Sequence, residues 1–470
     1  GTEAVAAEAE TDLRKLKPRR SPRRILVGFV LAIIMLTAGV VLFWPPRGVP
    51  AEAEVLARGL EVPWAVAEAP DGTLFVTERP GRVRVIDAGT GLRPEPVFNI
   101  SIRPNGEAGL MGIALHPGFP SVARVFLMYS TYSPVDVPIN RISRFDWTGT
   151  TLAGETVLLD GIPSASIHDG GRLAFGPDGK LYATAGDAAS PDDAQDTGRL
   201  NGKILRINDD GSAPGDNPFA TVPGAAEHVW SLGHRNPQGL AWHRSGALLA
   251  TEHGPSGDAG FCCRDEVNLI RPGKNYGWPL AYGNDGQDGF ERPVLQSGLE
   301  TWAPAGAAFI GDDLYFGALR GKHVHHVRVD PSDPSKLVSH EKLYEGKFGR
   351  VRDAVKARDG SLIITTSNRD GRGQPTEGDD FVVKLRIGAE AEDERVAQGI
   401  GRPDAQANLL IRSSAPRPVA DPLVHLRGAS REVRQAARAT ARTSGGGGPG
   451  RPRTGRFVAA RPARGRRHGP

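Results

Sequence analysis

A short pattern recurs along the chain, in which a tight turn of Pro, Asp or Gly leads directly into a run of apolar and β-branched residues. Such a run after a turn is typical of a β-strand in a hairpin. Successive copies begin 46 to 67 residues apart, the length of a four-stranded unit with variable loops. The copies are PDGTLFVTE (70–78), HPGFPSVARVFLMYS (116–130), PDGKLYATAGD (177–187), RSGALLATEHG (244–254), GDDLYFGAL (311–319) and RDGSLIITTSN (358–368). Six copies predict an all-β fold, a six-bladed β-propeller, over residues 55–387.

The stretch before the repeats predicts a membrane helix. Residues 25–44, ILVGFVLAIIMLTAGVVLFW, are twenty residues without a charge, the length needed to cross a bilayer. Seven Lys or Arg residues in 1–24 mark that segment as cytoplasmic by the positive-inside rule. We expect a single-pass transmembrane anchor in the cell membrane, with the propeller on the extracytoplasmic side. A signal peptide cleaved near AEA at 51–53 is the alternative.

The stretch after the repeats predicts a disordered tail. Residues 388–470 are rich in Arg, Gly and Pro and have almost no apolar periodicity. Fifteen Arg face three acidic residues in 401–470, and residues 1–24 are also basic, whereas the net charge of the whole chain is only +4. The segment between is therefore acidic, so the basic overall balance does not indicate nucleic-acid binding.

Cys262 and Cys263, the two cysteines of the chain, are adjacent. In an exported domain they form a vicinal disulfide, pair with a partner or stay as free thiols. Neither a CxxC motif nor a zinc-ligand spacing is present.

Loops from several blades meet at the central channel of a propeller, so polar residues beside the repeated strands are expected to converge there. The stretches richest in such residues carry Glu107, His168, Arg235 with Asn236, Asp265 with Glu266, Arg320, and Arg350 with Arg352. From its local sequence, SIHDGG, His168 is a buried hydrogen-bonding residue, a metal ligand or a general base.

At these stretches the chain resembles the soluble pyrroloquinoline-quinone (PQQ) sugar dehydrogenases, the glucose/sorbosone dehydrogenase family. The likeness runs from about residue 58 to 386, and it is closer to the broad-specificity aldose sugar dehydrogenases because the loops are short. The motifs that carry it, in order, are VPWAVAEAPDG, HDGGRLAFGPDGKLY, LNGKILRINDDGSAPGDNPF, GHRNPQGLAW, DEVNLI with GKNYGWP, and RVRDAV.

The resemblance implies a role for each matching residue. His168 matches the general base that takes the sugar hydroxyl proton while hydride passes to the quinone. Arg235 and Asn236 match contacts to the quinone edge, where a cation stabilises developing charge. Three cationic residues match those that hold the PQQ carboxylates, and two further residues match other cofactor contacts. The cationic residues are Arg320, Arg350 and Arg352, and the further contacts are Glu107 and Thr301.

The resemblance also implies calcium. Gly254 and Pro255 match the pair whose backbone carbonyls hold a Ca²⁺ ion that polarises the quinone. Glu266 and the backbone of Tyr276 match ligands of a second, structural Ca²⁺, with Asp265 assisting.

Four departures bear on these expectations. Ile167 stands where glucose-specific members have an Asp, so tight glucose specificity is not expected. Arg320 replaces the usual Lys and changes the geometry of its contacts. His253 replaces a Gln of glucose-specific members, although other members also read EHGP. The insertion SGDAGFCCR lengthens the loop before Asp265.

The predicted function is PQQ- and Ca²⁺-dependent oxidation of the anomeric hydroxyl of aldoses to lactones, with electrons passing to a quinone or another external acceptor. A GxGxxG motif at a strand–helix junction is lacking, which argues against a nicotinamide enzyme. A non-catalytic propeller that binds glycans or proteins is one alternative. A Ca²⁺-dependent lactonase on a similar scaffold is another.

Overall fold

The computed structural model describes residues 53–102, 105–256, 262–284 and 288–387. Within these ranges the regular elements are 25 β-strands and one 3₁₀ turn, Pro191–Ala194. No helix in the described part is long and apolar enough to span a bilayer. The predicted membrane helix (25–44), the basic segment before it (1–24) and the predicted tail (388–470) all lie outside the described residues.

The strands form six antiparallel sheets, the blades of the predicted β-propeller. Blade 1 is β2 (Pro63–Glu68), β3 (Leu74–Glu78), β4 (Arg82–Asp87) and β5 (Gly91–Leu92), with β6 (Phe98–Asn99) also paired to β4. Blade 2 is β7 (Leu110–Leu115), β8 (Arg124–Tyr132), β9 (Pro138–Trp147) and β10 (Leu152–Pro163). Blade 3 is β11 (Leu173–Phe175), β12 (Leu181–Ala185), β13 (Lys203–Ile207) and β14 (Val229–Leu232).

The other three blades follow the same order from the innermost strand outward. Blade 4 is β15 (Pro237–Trp242), β16 (Leu248–Glu252), β17 (Glu266–Ile270) and β18 (Leu295–Gln296). Blade 5 is β19 (Pro304–Ile310), β20 (Asp313–Ala318), β21 (His323–Asp330) and β22 (Asp333–Leu343). Blade 6 is β23 (Val351–Lys356), β24 (Leu362–Thr366), β25 (Val382–Leu385) and, as its outer strand, β1 (Ala53–Ala57).

Blade 6 closes the ring, because it combines three strands from the end of the propeller sequence with one from its beginning. Ala53 of β1 pairs with Leu385 of β25 in an antiparallel register. Because the ring is closed, each sheet packs face to face with its two neighbours, and no sheet is left at a free end of the ring. The predicted six-bladed propeller is confirmed.

Each sequence repeat is the turn from the innermost strand of a blade to its second strand, followed by that second strand. In β3, β12, β16 and β24 every residue is buried. Burial on both faces follows from the stacking of each blade between two others, and it explains why the repeated runs are so apolar. Large side chains such as Phe75 and Phe126 fill the space between blades. Truncating either to Ala would cost about 3–5 kcal/mol.

The antiparallel pairing places the start of each innermost strand beside the end of the second strand. Pro63 pairs with Glu78, Pro237 with Glu252, and Val351 with Thr366. In all blades except blade 3 the register of the innermost strand shifts within its first few residues. Such irregularities redirect side chains next to functional sites. The loops at this end of the propeller carry the residues that the sequence singled out.

Candidate functional site

His168 lies in the loop before β11, in a left-handed conformation with a φ of 63°. Three backbone constraints hold it there. Its amide donates to Glu107 Oε2 at 3.0 Å, and its carbonyl accepts from the amide of Ala188 at 3.1 Å. Gly186 packs so closely that a Cβ there would lie 2.0 Å from the His168 carbonyl oxygen. The surroundings therefore fix a backbone conformation that His adopts only at a cost.

The His168 ring faces a buried carboxylate. Its Nδ1 atom lies 2.7 Å from Asp187 Oδ1, and Asp187 is fully buried at the end of the repeated strand β12. The other carboxylate oxygen accepts from the indole Nε1 of Trp278 at 2.8 Å. A carboxylate only accepts hydrogen bonds, so the neutral ring carries its proton on Nδ1 and its lone pair on Nε2.

Arg235 and Asn236 join the same cluster from the loop before β15. The guanidinium of Arg235 lies over the Trp278 ring, 5.5 Å from its centre, and its carbonyl accepts from the amide of Asp187 at 2.7 Å. Asn236 Oδ1 accepts from the amide of Gly170 at 3.0 Å, whereas its buried Nδ2 has no partner among the described residues. An unsatisfied buried donor is costly, and a ligand atom at this position would satisfy it.

Glu107, before β7, joins two loops across the channel. Its Oε1 accepts from Arg372 at 2.5 Å while its Oε2 holds the His168 amide. Burial raises the pKa of this carboxyl, but the neighbouring His253 ring, Arg372 and the His168 amide outweigh burial and lower the pKa to about 2. Glu107 is therefore an anion beside the candidate base at neutral pH.

Arg350 and Arg352, at the start of blade 6, pair with a single buried carboxylate. Arg350 Nη2 lies 2.7 Å and Arg352 Nη2 3.5 Å from Asp370 Oδ2. Burial, with Arg350 and Arg79 nearby, lowers the pKa of Arg352 to about 10, although Asp370 opposes the change. The protein thus buries more positive than negative charge here, which is favourable only when an anion completes the group.

A buried ion pair lies beneath this cluster of arginines. Arg172, just before β11, lies 3.0 Å from Asp353 of β23 and donates from Nε to the carbonyl of Gln238 on β15 at 2.9 Å. Residues of blades 3, 4 and 6 therefore meet across the central channel. Gly306 is essential to this packing, because a Cβ there would lie 1.8 Å from Asp353 Oδ1.

Two carboxylates line a small cavity beside the cluster. Glu252 and Glu266 face each other across β16 and β17, and Asn268 Nδ2 donates to both, at 3.3 and 2.9 Å. Burial and the charge of Glu252 raise the pKa of Glu266. The cavity has a volume of about 10 Å³, room for one water or ion. It is also lined by predicted metal-site residues: Gly254, Pro255 and Tyr276.

Comparison with known proteins assigns the fold to a family. The family model for glucose/sorbosone dehydrogenases matches residues 60–375. The chain belongs to the glucose/sorbosone dehydrogenase family. The predicted family and its enzyme class, oxidoreductases acting on sugar CH–OH groups, are confirmed.

Three members of the glucose/sorbosone dehydrogenase family illustrate the similarity. The aldose sugar dehydrogenase YliI of Escherichia coli is 34% identical over 348 residues, 68% of this chain and 90% of the relative. Quinoprotein glucose dehydrogenase B of Acinetobacter calcoaceticus is 35% identical over 269 residues, 51% and 54% of the two chains. The PQQ-bound aldose sugar dehydrogenase of Streptomyces coelicolor superposes with a TM-score of 0.65 at 36% identity, covering 73% of this chain and all of that one.

Asp265 is not among the residues that line the small cavity. Its Oδ1 accepts from the amide of Gly254 at 2.9 Å, and its Oδ2 accepts from the amides of Trp302 and Ala303 at 2.6 and 2.9 Å. The carboxylate therefore fastens the Gly254 loop to the start of blade 5. Burial raises its pKa despite these amides.

Two further predicted cofactor contacts have different surroundings, and Arg320 adjoins the arginine cluster, because Arg350 Nη1 donates to the carbonyl of the neighbouring Leu319 at 3.2 Å. Arg320 is exposed at the end of β20, and within the described residues its side chain has no hydrogen bond or ion pair. Thr301 donates from its hydroxyl to Cys263 Sγ at 3.3 Å. The adjacent cysteines form a vicinal disulfide, which resolves the three alternatives left by the sequence.

Several residues of the site were missed. Four of them follow or end a repeated strand, where polar side chains were expected to converge, so the repeat pattern could have indicated them. They are Asp187, Asp370, Arg79 and Glu252. Trp278 reads as a packing residue, yet its indole contacts both Asp187 and Arg235. Nothing in the sequence indicates the link from Glu107 to Arg372, which depends on the meeting of distant loops.

Proposed function

We propose that this chain oxidises the anomeric hydroxyl of aldoses to lactones, using PQQ and Ca²⁺. The observation that carries the proposal is the pairing of His168 Nδ1 with Asp187, which leaves Nε2 as a proton acceptor at the edge of a buried arginine cluster. Sugar oxidation by a quinone that carries carboxylates requires a base for the hydroxyl proton and, beside it, a group that binds the anionic cofactor.

The donor set fits the carboxylates of PQQ. Arg350 and Arg352 share one carboxylate, Arg79 lies close enough to affect the pKa of Arg352, and the orphaned Nδ2 of Asn236 is free to donate. An anionic cofactor would balance the buried positive charge. The relatives named as quinoproteins, and the PQQ-bound aldose sugar dehydrogenase, support this assignment. Arg320 and Thr301 are retained as outer contacts of the same proposed site.

The chain also offers oxygen ligands to hard cations, and the small cavity beside Glu252 and Glu266 has room for one of them. Gly254 and Pro255 would present their carbonyls to the catalytic Ca²⁺, although the Pro255 carbonyl already accepts from the amide of Cys263 at 3.2 Å. A carbonyl oxygen has two lone pairs and can serve both. Glu266 and the Tyr276 carbonyl, with Glu252, would hold the structural Ca²⁺, whose charge would relieve the repulsion between the two buried carboxylates.

The residues of the chain perform the proton chemistry. PQQ, when bound, would supply an ortho-quinone that accepts the hydride of the anomeric carbon. His168 Nε2 takes the hydroxyl proton, and the Asp187 carboxylate stabilises the resulting imidazolium. Trp278 and Arg235 fix the carboxylate and keep water from it, while Glu107 holds the His168 backbone in its left-handed conformation.

The sequence supplies the rest of the proposal. Residues 25–44 would anchor the protein in the cell membrane with the propeller outside the cytoplasm, so that electrons pass to a quinone or redox protein there. Because Ile167 precedes the base, the substrates would be aldoses in general rather than glucose alone.

Reconstitution tests this function. The purified protein with Ca²⁺ is assayed for dye reduction on a panel of aldoses, with and without PQQ, alongside His168→Ala and Arg235→Ala. His326→Gln, on the outer part of blade 5, is the matched control. PQQ-dependent turnover that His168→Ala abolishes is the expected result. Lactone hydrolysis with Ca²⁺ alone would favour the lactonase, and absence of PQQ binding would favour a binding propeller.

A further inference from the structure

The disulfide between Cys262 and Cys263 is not explained by sugar oxidation, and its two halves have different surroundings. Cys262 is exposed, whereas Cys263 is buried. The Cys263 sulfur accepts a hydrogen bond from the Thr301 hydroxyl at 3.3 Å. One sulfur is therefore open to a reagent, and the other lies against a hydroxyl donor.

The same disulfide is built into the loop that carries the proposed calcium carbonyls. The Cys263 amide donates to the Pro255 carbonyl at 3.2 Å. Gly254 is pressed against the cysteine, since a Cβ there would lie 2.1 Å from the Cys263 carbonyl oxygen. Any change in the Cys263 backbone is thus passed directly to Gly254 and Pro255.

We propose that Cys262–Cys263 is a thiol-exchange site through which an external dithiol controls the Gly254–Pro255 loop. A thiolate of the dithiol attacks the exposed Cys262 sulfur, and the Cys262–Cys263 bond breaks. Cys263 leaves as a thiolate that the Thr301 hydroxyl stabilises by its hydrogen bond. The second thiol of the reagent then displaces Cys262, so the chain gains two electrons and two protons and the dithiol becomes a disulfide.

Reduction frees the two cysteines from each other and loosens the contacts of Cys263 with Gly254 and Pro255. The oxidised form is the one that holds the carbonyls in place. That this affects catalysis rests on the proposed function, because the carbonyls matter to turnover only if they hold the catalytic Ca²⁺. The exchange step and the loosening of the loop do not depend on it.

The exchange step is tested on the folded protein with dithiothreitol as the reductant. Aliquots are quenched with iodoacetamide, and the alkylated thiols are counted by mass spectrometry. Two modified cysteines per chain are expected under native conditions, and in the earliest aliquots Cys263 is alkylated while Cys262 is still joined to dithiothreitol. Thr301→Val should slow reduction about threefold to tenfold by removing one hydrogen bond to the leaving sulfur. Thr301→Ser keeps the hydroxyl and should restore the rate.

Two results would overturn the exchange site. One is a disulfide that dithiothreitol reduces only after unfolding. The other is an equal rate of reduction in the wild type, Thr301→Val and Thr301→Ser. Far-ultraviolet circular dichroism confirms that each variant is folded before its rate is compared.

Hydrogen–deuterium exchange tests the control of the loop without PQQ, calcium or sugar. The Gly254 amide, which donates to Asp265, should exchange faster in the reduced protein than in the oxidised one. The Cys262→Ser/Cys263→Ser double variant should behave like the reduced wild type with or without dithiothreitol. Unchanged exchange at Gly254 would contradict the control of the loop. A faster amide in a protein that never turns over sugar would instead leave this inference standing and reject the proposed function.

Discussion

The Nδ1 atom of His168 lies 2.7 Å from the Oδ1 atom of Asp187, although the two residues belong to different loops. Asp187 fixes which ring nitrogen carries the proton, and the left-handed backbone of His168 fixes where the other nitrogen points. The surroundings of the proposed base therefore fix its tautomer and orientation before any substrate arrives.

Replacing Asp187 by Asn should remove most activity while leaving PQQ bound. The amide of Asn can donate to Nδ1, which favours the tautomer with its proton on Nε2 and leaves no base. We expect kcat/KM to fall about 100-fold or more. Steady-state kinetics and a PQQ titration check both parts. Asp178→Asn, in the turn at the opposite end of β12, is the control and should keep near-normal turnover.

Replacing Arg352 by Gln should weaken PQQ binding far more than it weakens the fold. The fold lowers the pKa of Arg352, so its charge is less favourable in the folded than in the unfolded protein. The free energy of unfolding of the cofactor-free variant should stay within about 1 kcal/mol of wild type. The dissociation constant of PQQ should rise about 30-fold or more, because a buried pairing is lost.

Urea unfolding and fluorescence titration measure the two quantities for Arg352→Gln. Arg141→Gln, which removes a surface pair with Asp160 in blade 2, should change neither much. Equal PQQ affinity in Arg352→Gln and wild type would contradict the assignment of the arginine cluster.

Removing calcium should destabilise the wild type through Glu252 and Glu266. Without a cation the two buried carboxylates repel each other, and in the proposed site they would be ligands of the ion. EGTA should lower the midpoint of thermal unfolding by several degrees, roughly the effect of 1–2 kcal/mol in a domain of this size. Glu266→Gln removes one charge and should shrink the response to EGTA. A response of the same size in Glu266→Gln would show that the ion binds elsewhere.

A row of three hydrogen-bonded histidines in blade 5 should make the fold less stable in acid. His323 Nδ1 donates to the Gly321 carbonyl, so its Nε2 accepts from His325 at 2.7 Å, and His325 Nδ1 accepts from His340 at 2.7 Å. Burial first, and then neighbouring charges, lower the pKa of all three rings. If one of these rings takes up a further proton, the other two rings offer no free hydrogen-bond acceptor for it.

The direction of the acid effect follows from these lowered pKa values. Below about pH 6.5 the unfolded chain binds protons that the folded one does not, so stability falls as the pH falls. Each histidine should lower the stability as the pH falls from 7.5 to 5.5, and His325, whose pKa is lowered well below the ordinary value, should contribute most. Urea unfolding at pH 7.5 and 5.5 should show a smaller loss in His325→Gln than in wild type. The control is His228, whose half-buried ring lies outside this row of histidines. His228→Gln should lose as much stability between the two pH values as wild type does.

The fold was predictable because its signal repeats. Each copy couples a turn to a strand buried on both faces, so packing between blades demands the same apolar run six times. The first strands of the blades are less regular, since most have a shifted register near the site. Their starts could not be inferred from alternation alone.

The site was only partly predictable. His168, Arg235, Arg350 and Arg352 carry motif signals and do meet near the channel. Asp265 has the residue type of a metal ligand, yet its carboxylate also accepts from backbone amides of two loops, a set of contacts that the sequence does not encode locally. Asp187 ends one copy of the repeat and Asp370 follows another, and both find their partners only when the blades assemble.

A single-turnover experiment tests the central claim most directly. The protein is loaded with Ca²⁺ and one equivalent of PQQ, without oxygen or any external acceptor, and mixed with an aldose. Wild type should form one lactone per quinone reduced, with a slower step when the anomeric hydrogen is deuterium, and His168→Ala should bind PQQ yet form almost no lactone. Lactone formation by His168→Ala at the wild-type rate, or no reduction of bound PQQ by any aldose in wild type, would contradict the account.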